Sequence, residues 1–185
     1  TIPENTDFVV VGAGYAGLSA ALTVARQGKS VVVLDGGMPG FGASTRNGGI
    51  CSGQLRPSLS TLRKKLGTIV ANNIYSEGVD ARDDLVKFCE DEKIDCQLQM
   101  TGRFTGAMSQ SDYEMQCREV EKLNEITGHR AYMVTKNEQR DEINTNLFFG
   151  GMVREEIGGF HPGKFFAGLL SCLLYTSPSP RDRSL

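Results

Sequence analysis

The chain has 185 residues, with 20 lysines and arginines against 22 aspartates and glutamates, and its net charge is −2 at pH 7. This balance gives no basis for a nucleic-acid partner or for attraction to an acidic membrane surface. No apolar stretch reaches the ~20 residues that span a bilayer. The pattern of a secretory signal peptide is not seen either. The length suits one sizeable core or part of a larger two-domain protein.

Five cysteines and two histidines are the residues that could form disulfides or bind a metal. The cysteines show neither Cys-x-x-Cys pairs nor a regular spacing, which argues against a disulfide framework and against a zinc site. His129 and His161 are too few and too far apart to indicate a metal site. We therefore expect no bound metal and a reducing, cytoplasmic location. We interpret Cys89, on the apolar face of a predicted helix, as a small buried side chain rather than a nucleophile.

The segment that organises the chain is residues 8–35. Its two apolar runs, 8–11 and 31–34, are bounded by glycine and predict two strands of a parallel sheet, each buried on both faces. Between them, residues 18–27 carry an apolar stripe at helical spacing, and Gly28 follows where a helix-ending glycine is common. The segment therefore predicts a βαβ unit.

The turn between the first strand and the helix has the pattern Gly-x-Gly-x-x-Gly. In a dinucleotide-binding unit, Gly12 permits the tight turn, Gly14 lets a pyrophosphate approach the backbone, and Gly17 lets helix and strand pack closely. The pyrophosphate then lies at the positive end of the helix. Asp35, at the tip of the second strand, is placed to bind a ribose diol and to repel a 2′-phosphate. The alternative is an ordinary βαβ unit with a glycine-rich turn.

A glycine-rich loop follows directly, with six glycines in the fifteen residues 36–50. Because each glycine loses much conformational entropy on ordering, this loop builds no regular element. It is either a flexible linker or a backbone surface that lies against a ligand. Its position directly after Asp35 favours the ligand-binding interpretation.

The turn at 10–17, the acid Asp35 and the segment Gly-Ala-Ser-Thr-Arg-Asn-Gly-Gly at 42–49 together resemble one enzyme family. It comprises the FAD-dependent oxidoreductases related to D-amino acid oxidase, glycine oxidase and sarcosine oxidase. The similarity is greatest to the branch of γ-glutamylputrescine oxidases, which carry a similar Ala-Ser-x-Arg-Asn-Gly-Gly segment. The resemblance covers residues 7–171, strongly at 8–50 and weakly beyond. It implies a Rossmann-like α/β FAD-binding domain with a GR2-type parallel sheet, and the start of an α+β substrate domain with an antiparallel sheet.

The resemblance also implies the cofactor, FAD, and the residues that contact it. Because residues 42–50 contain no histidine, the covalent attachment that some relatives make in this loop is excluded there. Arg46, Asn47 and His161 are candidates for a catalytic role, although a histidine just before a helix is alternatively a local hydrogen-bonding residue. The implied FAD-binding residues are Gly12, Ala13, Gly14, Tyr15, Ala16, Gly17, Asp35, Gly36, Ser44, Thr45, Arg46, Asn47, Gly48 and Gly49.

The reaction implied by the resemblance is oxidation of a C–N bond in an amine or amino acid, by hydride transfer to flavin. Oxygen or another electron acceptor then reoxidises the flavin. One alternative is an NAD-dependent dehydrogenase, which uses the same βαβ unit but does not need the glycine-rich loop after Asp35. The other is an incomplete, non-catalytic fragment that does not hold FAD.

Beyond residue 50, periodicity and capping patterns predict a second region with a different kind of sheet. Its tightly joined, half-exposed strands indicate antiparallel pairing and hence a second domain. The predicted elements are helices at 59–66 and 79–92, a hairpin of strands within 94–108, a helix capped at Ser111 and ended by Gly128, a short helix capped at Thr135, a strand at 147–153 and a helix that starts near Pro162. The expected domains are residues 7–93 for FAD, 94–153 for substrate, and 154–171 returning to the FAD-binding domain.

The two ends of the chain carry separate expectations. Residues 172–182 resemble the translation of the mosaic-end adapter of transposase-made sequencing libraries over eleven consecutive residues. We therefore expect natural sequence to end near Ser171, one or two turns into a helix, and residues 172–185 to be read-through. The alternative is a disordered C-terminal tail. The chain begins at Thr1 without a methionine, so we expect an incomplete start and an N-terminal fragment of a longer enzyme.

Overall fold

A computed structural model describes residues 3–128 and 131–176. Backbone contacts divide the chain into two compact units. The first unit comprises Thr1–Gly49, Phe88–Leu98 and Phe160–Leu185, and the second comprises Ile50–Lys87 and Gln99–Gly159. The two units are defined by backbone contacts alone, which assign no function to either. The predicted FAD-binding and substrate domains therefore stay a prediction.

Helices and short strands alternate along the described residues. In chain order the elements are β1 (Phe8–Val11), α1 (Tyr15–Arg26), β2 (Val31–Leu34), a 3₁₀ turn (Ala43–Thr45), β3 (Ile50–Cys51), α2 (Leu59–Leu66), α3 (Thr68–Asp91), β4 (Arg103–Gly106), α4 (Gln110–Thr127), β5 (Ala131–Val134), α5 (Gln139–Glu142), β6 (Gly151–Arg154), β7 (Gly158–Gly159) and α6 (Pro162–Thr176).

The first unit is built on the predicted βαβ segment. Strands β1 and β2 pair in parallel, in a register that places Phe8 opposite Val31 and Val11 opposite Leu34. Helix α1 packs on both strands and on α6. The apolar stripe predicted for α1 is buried in a core shared with α6, formed by Ala13, Leu18, Ala21, Leu22, Phe166, Leu169 and Leu173. The βαβ prediction is therefore confirmed.

The prediction that both strands are buried on both faces is wrong. Val9 is 57% exposed and Val11 is 85% exposed. In the described part of the chain each strand has one strand neighbour. A helix packed against such a sheet covers one of its faces, so the apolar side chains on the other face remain in solvent.

The second unit contains the predicted antiparallel sheet, with strand order β4-β6-β5. Helix α4 packs against β5 and β6, and α2 packs against α4. Helix α2 has its predicted bounds because the side chain of Ser58 accepts a hydrogen bond from the amide of Thr61. The core of the unit is formed by Leu59, Leu62, Ala71, Tyr75, Val120, Leu123, Ala131 and Met152.

The predicted hairpin within residues 94–108 is wrong in its first half. Lys93 and Gln97 have φ angles of +54° and +57°, in the left-handed region that interrupts a strand. Gln99 makes an isolated antiparallel bridge to Gly159. The polar–apolar alternation still describes exposure over residues 94–98, where Cys96 is fully buried, but Met100 is 38% exposed. Strand β4 exists, but it pairs with β6, which is distant in sequence.

The N-cap of helix α4 lies two residues before the cap that its sequence predicts. The hydroxyl of Ser109, not Ser111, accepts a hydrogen bond from the amide of Asp112 at 3.1 Å. The carboxylate of Asp112 in turn accepts from the amide of Met108 at 2.9 Å. This reciprocal pair satisfies two amides that a helix start leaves unpaired. Gly128 ends the helix as predicted, with φ +61°.

Two other helices are longer than predicted. Helix α3 begins at Thr68 rather than near residue 79, and continues through Gly78. A Cβ on Gly78 would lie 2.6 Å from the carbonyl oxygen of Gly53, so glycine is required there for close packing rather than for a helix break. Helix α6 begins at Pro162 as expected and continues to Thr176, with Leu173 buried. The predicted read-through at 177–185 lies outside the described residues, and the origin of 172–176 stays a prediction.

A buried charged cluster lies in the second unit. Arg154, at the end of β6, forms an ion pair with Glu156 in which the two side chains are 3% and 6% exposed. Its guanidinium also donates to the hydroxyl of Tyr75 at 3.3 Å. Burial raises the pKa of Tyr75 above its ordinary value, against the effect of the nearby arginine. Arg82 donates to the backbone carbonyl of Glu156 at 2.7 Å.

None of the helices in the described residues combines the length and the apolar character that a membrane crossing requires. Over the same residues, no group of three or more histidine, cysteine, aspartate or glutamate side chains is arranged to hold a metal ion.

Candidate functional site

The β1–α1 turn presents backbone amides at the start of a helix. Gly12 has φ +102°, and its amide donates to the carbonyl of Leu34 at 2.7 Å, which ties the turn to β2. Gly14 is the N-cap of α1 and supplies no side-chain cap. The first turn of α1 contains no acidic residue. The positive end of the helix therefore remains suited to an anionic ligand.

Gly17 brings helix and strand together as predicted. A Cβ at this position would lie 1.9 Å from the carbonyl oxygen of Gly12 and 3.2 Å from Cγ1 of Val10. The shorter distance is below any real van der Waals contact, so no larger residue fits without moving α1. The packing role assigned to Gly17 from the sequence is confirmed.

The backbone of the candidate site borders open space at several other glycines. A Cβ built on Gly36, Gly42 or Gly48 meets no atom within 4 Å. A Cβ on Gly14 would meet only the Ser44 hydroxyl, at 3.0 Å. Because glycine has no side chain, a ligand can approach the backbone closely at such positions. We call the surface formed by residues 12–17, 35–36 and 44–49 the cradle. The binding of a dinucleotide along the turn and the loop, expected from the sequence, stays a prediction.

Asp35 binds backbone amides on both sides of the cradle. One carboxylate oxygen accepts from the amide of Ala13 at 2.7 Å, and the other accepts from the amide of Gly37 at 2.9 Å. These hydrogen bonds, with that of Ala13 the larger, lower the pKa of Asp35 below its ordinary value of 3.8. Each carboxylate oxygen has a second lone pair. The ribose contact expected from the sequence therefore remains chemically available and stays a prediction.

An Asp35→Asn substitution tests this linkage between carboxylate and turn. The amide NH₂ of asparagine cannot accept a hydrogen bond, so one of the two backbone amides loses its partner. Because folding depresses the pKa of Asp35, the carboxylate stabilises the fold above its ordinary pKa, and this contribution is lost as pH falls through the folded pKa. We expect the variant to be less stable than the parent at neutral pH and equal to it in strong acid.

Chemical denaturation followed by circular dichroism across this pH range measures the difference. Glu4→Gln, an exposed substitution with the same change of charge, is the control and should leave the stability curve unchanged. If the free energy of unfolding of Asp35→Asn differed from that of the parent by the same amount at every pH, the stabilising role of the ionised carboxylate would be contradicted.

The glycine-rich loop is folded by its own side chains. Thr45 donates its hydroxyl proton to the carbonyl of Gly40 at 2.5 Å. The side-chain amide of Asn47 donates to the carbonyls of Ala43 and Ser44, both at 3.0 Å, and its oxygen accepts from the amide of Gly49 at 2.8 Å. Thr45 and Asn47 therefore hold the loop conformation. The expected irregular loop is confirmed, with a single 3₁₀ turn at Ala43–Thr45.

The loop is anchored to the helix start through Ser44. Its hydroxyl oxygen accepts a hydrogen bond from the amide of Tyr15 at 3.0 Å. This contact brings the loop to the same helix end that the glycine turn presents. The two sequence segments singled out for the cofactor, 12–17 and 42–49, therefore form one surface.

Arg46 is an exposed cation of the loop. Its guanidinium carbon lies 4.0 Å from the centre of the Phe41 ring, within the range of a cation–π interaction. The aromatic ring limits the rotamers of Arg46 while leaving its N–H donors accessible. Arg46 thus carries positive charge at the rim of the cradle.

A third segment, which sequence reasoning did not assign to the cofactor, completes the surface. The carbonyl of Gly49 accepts from the amide of Phe160 at 2.8 Å. The phenol of Tyr15 donates to the carbonyl of Pro162 at 2.9 Å, and its ring stands edge-on to Phe165 at 5.2 Å. Burial raises the pKa of Tyr15. The sequence predicted a return of residues 154–171 to the FAD-binding domain, but it did not predict these contacts.

His161 has a local structural role in this arrangement. Its Nδ1 accepts a hydrogen bond from the amide of Lys164 at 3.3 Å, as a cap of α6. Its own amide donates to the carbonyl of Cys96 at 2.8 Å. The local hydrogen-bonding interpretation is therefore present in the structure, and a catalytic role of His161 stays a prediction.

Comparison with known proteins identifies relatives of this chain. Residues 7–173 match the family model described as FAD dependent oxidoreductase. Gamma-glutamylputrescine oxidoreductase of Escherichia coli is 30% identical over 158 residues, which are 84% of this chain and 36% of the relative. The chain thus spans less than two-fifths of the length of the curated relatives it matches.

Solved structures give the same fold. Glycine oxidase of Geobacillus kaustophilus superimposes with a TM-score of 0.72 at 20% identity, over 92% of this chain and 45% of that one. L-amino acid deaminase of Proteus vulgaris gives 0.72 at 19% identity, over 95% of this chain and 39% of that one. The fold, the glycine turn and the family match agree, and the chain belongs to the family of FAD dependent oxidoreductases.

Proposed function

We propose that the protein containing this chain oxidises a C–N bond of an amine or amino acid with FAD as its cofactor. The observation that carries the proposal is the family match over residues 7–173, which includes the complete glycine turn, Asp35 and the glycine-rich loop. The name of the Escherichia coli relative, a gamma-glutamylputrescine oxidoreductase, supports an amine substrate. Oxygen or another acceptor would take the electrons from the reduced enzyme.

The residues of the cradle fit FAD chemically. The helix start offers N–H donors to a pyrophosphate, and Asp35 with Gly36 offers acceptor and backbone to a ribose. We propose that residues 12–17, 35–36 and 44–49 hold the cofactor. The binding is non-covalent in this loop because residues 42–50 contain no histidine. The family match favours FAD over the alternative of NAD.

The chemistry that the flavin supplies when bound is acceptance of a hydride equivalent from the C–H bond beside the substrate nitrogen, which leaves an imine that water hydrolyses. The chain's own residues bind and orient the partners in this reaction. Arg46 would place a positive charge where negative charge develops, and Asn47 would keep the loop in position. The region 94–153 is proposed as the start of the substrate domain and 154–171 as the return to the FAD-binding domain.

The test uses the gene product read to its natural stop codon. The purified protein is mixed without oxygen with γ-glutamylputrescine, glycine, sarcosine or D-amino acids, and the flavin absorbance is followed. We expect at least one amine or amino acid to bleach the flavin and to yield ammonia or an amine with a carbonyl product. Bleaching by a reduced nicotinamide cofactor, together with no response to any amine, would overturn the proposal.

The role of Arg46 has its own prediction. Removing the guanidinium in Arg46→Ala should slow the rate of flavin reduction at saturating substrate by about tenfold or more, as for loss of a charge-assisted contact in a transition state. Arg56→Ala is the matched control, because Arg56 is exposed and lies outside the loop. An unchanged reduction rate in Arg46→Ala removes Arg46 from the proposed machinery.

We also propose that the 185 residues alone do not retain FAD. The exposed faces of β1 and β2 support this, since apolar strand faces that are open to solvent indicate missing packing partners. Gel filtration of this chain with added FAD tests the point. Flavin that elutes with the chain would contradict it.

A further inference from the structure

We propose that Cys89 and Cys96 are a redox-active dithiol that closes to an intramolecular disulfide. Their sulfur atoms lie 3.8 Å apart, in sulfur–sulfur hydrogen-bond contact. Both residues are buried, with 4% and 0% of their surface exposed. All five cysteines of the chain are present as thiols in this structure. The inference does not depend on the proposed reaction.

The backbone holds the two thiols together. Cys89 lies in the last turns of α3, and its carbonyl accepts from the amide of Ile94 at 2.9 Å. The left-handed φ of Lys93 turns the chain back on itself. The amide of Cys96 then donates to the carbonyl of Ile94 at 2.9 Å. Disulfide closure shortens the sulfur–sulfur distance from 3.8 Å to ~2.05 Å.

A small oxidant has a route to the pair. Both cysteines line an open cavity of about 390 Å³, whose other walls come from the turn itself: Glu90, Lys93, Ile94, Asp95, Gln97 and Leu98. Lys93 and Gln97 are exposed, so their side chains can move aside without loss of core packing. The cavity admits a peroxide, which is small and uncharged.

The chemistry balances with a peroxide as oxidant. One cysteine thiolate attacks a peroxide oxygen, the O–O bond breaks, and a sulfenic acid and water are formed after proton transfer. The second thiol then attacks the sulfenic sulfur, the S–O bond breaks and a second water leaves as the S–S bond forms. The two thiols together lose two protons and two electrons, and one hydrogen peroxide is reduced to two waters.

The main chain at Cys96 is hydrogen-bonded to the segment that holds the glycine-rich loop. The carbonyl of Cys96 accepts from the amide of His161, and the amide of Phe160 donates to Gly49 of the glycine-rich loop, each at 2.8 Å. A disulfide would therefore fix the turn against which residues 160–161 and the loop are held. The proposed disulfide would thus act on the main chain that supports the loop.

Peptide mapping of the purified chain tests the proposal directly. The folded chain is treated with hydrogen peroxide, its remaining thiols are alkylated, and it is digested with trypsin. Cleavage after Lys87, Lys93 and Arg103 places the two cysteines on separate peptides, 88–93 and 94–103. We expect these peptides to appear as one cross-linked species that dithiothreitol separates. Cys117→Ser, a substitution at a half-buried cysteine on α4, should leave the cross-link unchanged.

Three results would overturn the proposal. Separate alkylated peptides 88–93 and 94–103 after peroxide treatment show that the pair does not close. Cross-links of either cysteine to Cys51, Cys117 or Cys172 show that the pairing is not selective. An equal yield of the 89–96 cross-link from chain denatured in urea shows that the fold does not position the thiols.

Discussion

Arg154→Ala is expected to destabilise the second unit by about 3–5 kcal/mol, the cost of leaving a buried charge without its partner. Arg154 Nε and Nη2 contact the same carboxylate oxygen of Glu156, at 2.6 and 2.5 Å. The other oxygen of that carboxylate is buried and has no hydrogen-bond partner among the described residues. Removal of the guanidinium therefore leaves Glu156 with a desolvated charge and Tyr75 without its donor.

Urea denaturation measures this effect against two matched variants. Arg140→Ala removes an exposed arginine that contacts Asn146, and it should change the free energy of unfolding by less than about 1 kcal/mol. The double variant Arg154→Met/Glu156→Leu should be more stable than Arg154→Ala, because apolar replacement removes both charges together. A loss below about 1 kcal/mol in Arg154→Ala would show that the pair is not buried as described.

Gly17→Ala is expected to displace the start of α1 and to abolish cofactor retention. The added Cβ would lie 1.9 Å from the backbone oxygen of Gly12, an atom that cannot move without breaking the turn. Overpacking of this kind costs about 1–3 kcal/mol, even though alanine is intrinsically the better helix residue. The backbone amides at the start of α1, which are proposed to bind a pyrophosphate, would shift with the helix.

The substitution Ser19→Ala on the same helix is the control. Ser19 is exposed, so the change affects helix propensity by only a few tenths of a kcal/mol and leaves the turn intact. Unfolding measurements and the flavin content of the protein expressed from the complete gene give the two readouts. Retention of both stability and flavin in Gly17→Ala would contradict the close packing of helix and strand.

Elements with a complete local signal were predicted well from the sequence. Strands β1 and β2, one before and one after helix α1, have the predicted bounds. Each is a continuous apolar run rich in valine, and such runs favour a strand. Helix α2 is also predicted to the residue, since Ser58 caps its start and Gly67 follows its end. In these elements local propensity and tertiary packing agree.

The failures occur where distant contacts decide the structure. Residues 94–100 alternate in polarity like a strand, but the left-handed conformations of Lys93 and Gln97 turn the segment instead. Strand β4 then pairs with β6, some fifty positions along the chain, rather than with its neighbour. Periodicity describes which side chains are buried and does not specify the backbone path that buries them.

Buried polar groups were also invisible to sequence reasoning. Arg154 and Glu156 resemble ordinary surface charges, and nothing in their spacing indicates burial. The burial of Cys89 was predicted, but its contact with Cys96, seven positions along the chain, was not, because it depends on the turn at Lys93. In both cases the tertiary fold creates the environment that gives the residues their chemistry.

The candidate site also has a part that the sequence predicted and a part that it did not. The glycine turn and the glycine-rich loop could be identified from the sequence because glycine spacing directly reflects backbone geometry. The contact of Ser44 with the helix start and the junction at Phe160 and Pro162 could not, since both depend on segments that meet only in the folded chain. The side chain of Asn47 is engaged within the loop, which favours a positioning role for it.

The cradle formed by residues 12–17, 35–36 and 44–49 is proposed to hold FAD without a covalent bond, and every proposed step of the reaction depends on this binding. The most direct measurement is the identity of the chromophore that acid releases from the protein expressed from the complete gene. We predict that FAD appears in the supernatant in an amount equal to the protein, and that the precipitate is colourless. Flavin that remains on the precipitate would contradict non-covalent binding, and a released nicotinamide dinucleotide or no cofactor at all would contradict the assignment of FAD to this surface.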